Sequence, residues 1–99
     1  MATDTAALDA RALALRGKGM SFRTIATELG LDRASDANLA FNRALRRLPE
    51  PERVVVRREE AVRLDRLADQ TRGNDALTTA DVERRLESID RLKAQLQAD

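Results

Sequence analysis

The chain has 99 residues, 35% of them charged and 42% hydrophobic, with a net charge of +1. This length holds one domain or a small head with a helical appendage, and the composition is too charged for a membrane protein and too apolar for a disordered one. Cysteine and histidine are both absent, which excludes disulfides, zinc fingers and thiol nucleophiles and removes the commonest metal ligand and general base.

The opening residues, Met1 to Ala7, lack the basic region and apolar stretch of an export signal, so a cytoplasmic location is expected. No run approaches the roughly 20 apolar residues of a transmembrane helix. A first helix is expected from Asp4 to Arg16, with Leu8, Ala12 and Leu15 on one face and Gly17-Lys-Gly19 ending it. Ser21 is a good N-cap for a second helix, Phe22 to Leu29, whose inner face would carry Phe22, Ile25, Ala26 and Leu29. Gly30 punctuates. A third helix should start between Asp32 and Ser35, both able to cap, and run to about Leu48 on the stripe Ala37, Phe41, Ala44, Leu45 and Leu48.

Pro49 and Pro51 stop that helix, because proline disfavours helical geometry before it and suits a first turn. The second half reads as a helical hairpin. One arm runs from about Glu52 to Gln70, with helix preferred over strand across Val54-Val55-Val56. A loop follows over residues 71–77. The last helix starts at the capping-box-like Thr78-Thr-Ala-Asp81. It carries Val82, Leu86, Ile89, Leu92 and Leu96, a seam that the other arm or a partner must cover. The expected fold is therefore all-α, with about five helices: a helix-turn-helix domain over residues 1–48, then an antiparallel helical hairpin over residues 49–99.

Charge divides at the same place. Residues 1–48 hold eight basic and five acidic groups, and residues 49–99 hold ten basic and twelve acidic. A mildly basic half joined to a mildly acidic one fits two jobs, although charge on helix faces also serves plain solvation. With only Phe22 and Phe41 aromatic, and alanine and leucine supplying most of the apolar content, the core is thin. Burial against further copies of the chain is then expected. Leu64, Leu67, Val82, Leu86, Ile89, Leu92 and Leu96 are the residues expected to assemble a homo-oligomer.

Ser21-Phe-Arg-Thr-Ile-Ala-Thr-Glu-Leu-Gly-Leu31 has the form of a helix-turn-helix. Ala26 permits a close crossing, Gly30 supplies the turn, and the following helix is free to enter a major groove. With Ala37, Phe41, Ala44 and Leu48 inward, Ser35, Asn38, Asn42 and Arg46 are expected on the opposite, DNA-facing side. Asparagine can bond adenine bidentately, and serine is a permissive donor and acceptor. Arg33 would reach a base edge or phosphate. Arg23 and Thr24, beside the free amides after Ser21, would hold a phosphate, with Lys18, Arg43 and Arg47 further phosphate candidates. Asp36 works against DNA unless it caps the helix. Double-stranded DNA is the expected partner. The carboxylates of the second half alternate with arginines and lack metal-site spacing, and no nucleophile arrangement or phosphate loop occurs. Neither an enzyme, a cofactor nor a metal is expected.

These residues resemble the small helix-turn-helix proteins of actinobacterial phages and prophages. The likeness lies in the segment Ser21 to Gly30, in Asp32, Ser35, Ala37 and Arg43-Ala-Leu45 after it, in Arg57 or Arg58 through Leu67, and in Val82-Glu-Arg-Arg-Leu86 through Leu96. That group looks like small terminase subunits. The resemblance implies an N-terminal domain that recognises viral DNA for packaging, a hairpin that assembles a ring, and a large terminase subunit as partner in a bacterial host. No clear match to the family's C-terminal segment for the large subunit is present. Two other functions fit the same residues: a small dimeric transcriptional regulator of a phage or prophage, and an adaptor whose hairpin binds a protein while the head is only structural.

Overall fold

A computed structural model describes residues 5–98. Among them lie five α-helices and no strand: α1 Thr5–Gly17, α2 Phe22–Leu29, α3 Ala34–Arg47, α4 Glu50–Arg72 and α5 Thr79–Gln97. The protein is all-α. Asp4, the expected first residue of α1, lies outside the described residues. The chain divides between Pro49 and Glu50 into two compact units.

The first unit packs α1 and α2 on α3. Its core is Phe22, Ile25, Phe41 and Leu45, filled in by Ala12, Ala26, Ala37, Ala40 and Ala44. The alanines let the helices approach closely, so two phenylalanines suffice. Their rings meet edge to face at 5.6 Å, a favoured aromatic geometry. Burying Phe41, Ile25 and Leu45 contributes about 1.5–3 kcal/mol each. Ser21 caps α2 by accepting from the Thr24 amide. Gly30 ends it at φ 71°, and the Leu31 amide returns to the Ala26 carbonyl at 2.8 Å. Only a residue without Cβ takes that left-handed geometry at little cost.

Three local expectations are corrected. Helix α1 runs through Gly17, and the left-handed residue after it is Gly19 at φ 90°. The N-cap of α3 is Arg33, neither Asp32 nor Ser35. Asp36 closes this end instead, its carboxylate accepting from the Arg33 amide at 3.2 Å. On α1 the inward positions are Asp9, Ala12 and Arg16, while Leu8 and Leu15 are only half-buried. The inward stripe sits about one residue further round than leucine spacing indicated, because two charged residues there find partners.

The second unit is an antiparallel pair, α4 on α5. Pro51 falls in the first turn of α4, where its missing N–H costs nothing, and the three valines are helical. Leu64, Ala68, Ile89 and Leu96 are buried. Across the hairpin, Lys93 reaches Asp65 at 2.6 Å and Arg57 donates to the Leu96 carbonyl at 3.0 Å. Thr78 caps α5 by accepting from the Asp81 amide. The expected assembly seam is corrected here. Leu64, Ile89 and Leu96 are already buried, Val82, Leu86 and Leu92 are half-buried, and of that set only Leu67, at 45% exposure, faces solvent. The two arms cover Leu64, Ile89 and Leu96 themselves, while Leu67 and Leu92 line an open groove beside Ile89.

Candidate nucleic-acid interface

The α2–turn–α3 element exposes Arg23 and Thr24 in the first turn of α2, and Arg33 and Ser35 at the start of α3. The first amides of a helix carry unsatisfied donors and the positive end of its dipole, which suits a phosphate. Thr24 is not wholly available, since its hydroxyl oxygen accepts from Ser21 Oγ at 3.0 Å. The side chains of Arg23 and Arg33 make no ion pair among the described residues and stand in solvent. Asp36 is half-buried and occupied with the Arg33 amide, so part of its charge is taken up in capping.

The expected base-reading face of α3 is overturned. Asn38 and Asn42 are 6% and 4% exposed. The Asn42 amide group donates to both the backbone carbonyl and the Oδ1 of Asn38, each at 3.0 Å. Asn42 Oδ1 is buried with no hydrogen-bond partner. The reason is angular. Leu45 lies about 80° round the helix from Ala37, and Asn38 and Asn42 follow at about 100° and 140°. Burial on α3 thus runs past the apolar arc from Ala40 to Leu45 and takes in both carboxamides, stopping short of Ser35. The outward face of α3 is instead Ser35, Leu39 and Arg46, with Leu39 47% exposed.

Arg43 and Arg47 are also reassigned as phosphate candidates, because their side chains turn to Asp9 on α1. Arg43 donates through Nε and Nη2 to the two Asp9 oxygens at 3.0 and 2.9 Å, and Arg47 adds a bond at 2.8 Å. Asp9 is fully buried, and this fork-on-fork contact is a strong geometry for a carboxylate. Burial pushes the Asp9 carboxyl up, but the hydrogen bonds and charges of Arg43 and Arg47 outweigh it and hold the group below its ordinary value. The same bond raises Arg43 further. A third cation, Arg16, is 8% exposed, lies 4.1 Å from the Phe22 ring centre and donates to the Met20 carbonyl at 2.8 Å. It anchors the end of α1 on the start of α2.

The structural roles of Asp9, Arg16 and Arg47 were missed in sequence. A usable signal existed: Asp9, Ala12 and Arg16 share a helix face, and Arg43 and Arg47, four apart, present two cations to one carboxylate. Among the described residues no cluster of metal-binding side chains occurs, and no helix is long and apolar enough to cross a membrane. Comparison with protein families, characterised proteins and solved structures gave no match.

Proposed function

We propose that this chain is a non-catalytic DNA-binding protein whose first unit docks α3 on duplex DNA, and that it acts as a homo-oligomer in packaging viral DNA. The packaging role rests on the resemblance to small terminase subunits. The observation that carries DNA binding is the left-handed turn at Gly30 between two helices whose starts expose Arg23 and Arg33. Contact is mainly with phosphates. Ser35, Leu39 and Arg46 are what α3 offers to base edges, so sequence preference is modest.

The test is fluorescence anisotropy of labelled duplex DNA at about 50 mM salt, where phosphate contacts are strongest. Wild-type protein binds and is released as salt rises. Arg23→Ala with Arg33→Ala weakens binding to every sequence about tenfold and lowers the salt slope by about 2. Asn38→Ala leaves sequence preference unchanged. Absence of binding at low salt, or a double variant that binds like wild type, overturns the reading.

A further inference from the structure

The outer side of α4 carries apolar surface that the hairpin leaves uncovered. Val55 and Val62 are 52% and 50% exposed, on the side opposite Leu64 and Ala68. Seven residues apart, they lie within about 20° of each other round the helix and form one stripe. Arg58 flanks the stripe on one side and Glu59 on the other, and both are exposed. The residues three and four away from Arg58 are Val54, Val55, Ala61 and Val62. No carboxylate on its own helix is therefore placed to pair with it. Further along, Arg66 flanks the line on the Glu59 side, while Asp69, seven residues after Val62, lies on the line itself and is paired with Arg72.

We propose that a second copy of this chain docks on this face, α4 against α4 in parallel, with Val55 on the partner's Val55 and Val62 on the partner's Val62. The charges choose the direction. A two-fold axis along the helices brings opposite flanks together, so Arg58 meets the partner's Glu59, twice over. With the valines aligned in an antiparallel pair, each flank faces itself, and Arg58 meets the partner's Arg58. Two valines per chain make a small interface, so the pair is weak and concentration-dependent. The inference gives form to the self-association in the proposed function and rests on it; a two-fold pair closes on itself, so it supplies a dimer and not the ring that the resemblance implies. Because it is tested without DNA, its failure leaves the DNA-binding arm standing.

The natural chain has no cysteine, which permits a direct test on the full-length protein. Val55→Cys and Val62→Cys, each oxidised alone, give disulfide-linked dimers, while the exposed control Glu87→Cys stays unlinked. Links that form only when the Val55 and Val62 variants are mixed overturn the parallel arrangement. Absence of links, or equal linking by the control, overturns the interface. Sedimentation supplies the second readout: wild type dimerises, and Arg58→Glu or Glu59→Arg raises the dimer dissociation constant about tenfold. A one-to-one mixture of these two recovers the affinity. Wild type that stays monomeric, or charge variants that dimerise unchanged, also overturns it.

Discussion

The two units use the same Asp, Glu and Arg inventory in different ways. In the first, a fully buried carboxylate on α1 takes three hydrogen bonds from arginines on α3, 34 and 38 residues away. In the second, Arg63–Glu60, Arg72–Asp69 and Arg84–Asp81 are all three residues apart on one helix, and Lys93–Asp65 crosses the hairpin at the surface. Charge in the head selects which helix faces which. Charge in the hairpin mostly solvates, except at Glu60, which is 2% exposed and accepts from Arg63 at 3.1 Å beside the aliphatic line at Leu64, Ala68, Ile89 and Leu96. A charged residue therefore means little until its burial is known.

The largest effect should come from breaking the buried cluster on the side that strands its carboxylate. Arg43→Ala with Arg47→Ala leaves Asp9 buried and unpaired, at a cost of about 3–5 kcal/mol. Asp9→Asn should cost about 1–2 kcal/mol. The asymmetry arises because Arg43 and Arg47 are 38% and 51% exposed in their side chains and can rehydrate, while Asp9 cannot. Urea unfolding of the full chain, followed by circular dichroism, measures both. Equal costs would break the contrast between the units.

The same carboxylate predicts a pH dependence. Its folded pKa lies below the ordinary 3.8. Its contribution is therefore present above that value and is lost as pH falls through the lowered one. Wild type should lose stability more steeply than Asp9→Asn below about pH 4. Parallel acid curves would show that the cluster does not hold the head together.

In the hairpin, an aliphatic truncation should dominate. Leu64→Ala, at 1% exposure, should cost about 2–4 kcal/mol. Leu67→Ala, three residues on but 45% exposed, should cost under about 1 kcal/mol. Thermal melts of the two variants decide it, and comparable losses would mean that Leu67 is covered in solution.

What could be read in the sequence follows from how local the signals are. The caps at Ser21 and Thr78, the turn at Gly30 and the break at Pro49 depend on a few adjacent residues, and each lies where its chemistry placed it. The stripe Ala37, Phe41, Ala44 and Leu45 was equally legible from helical spacing. The width of that stripe was not. Whether Asn38 and Asn42 stand inside or outside depends on how closely neighbouring helices approach, which the alanines decide collectively. The Asp9–Arg43–Arg47 cluster joins residues more than 30 apart, and no local pattern reports such a partner. So the architecture was readable, while the face offered to DNA was displaced.

The smallest effect tests the other half of the comparison. Arg72 sits in the last turn of α4, paired with Asp69, and both side chains are more than half exposed. A cation there gains from the ion pair and from the negative end of the helix dipole. Arg72→Gln should cost about 0.5 kcal/mol, and Arg72→Glu about twice that, since it turns both attractions into repulsions. Exposed charges are screened over about 3 Å at 1 M salt, so the gap between the two variants should close there. The deficit of the double Arg43, Arg47 variant should persist at that salt, because its carboxylate is out of reach of counterions. Should the Arg72 gap survive high salt, the surface pair would be acting like the buried one, and the division between the units would no longer hold.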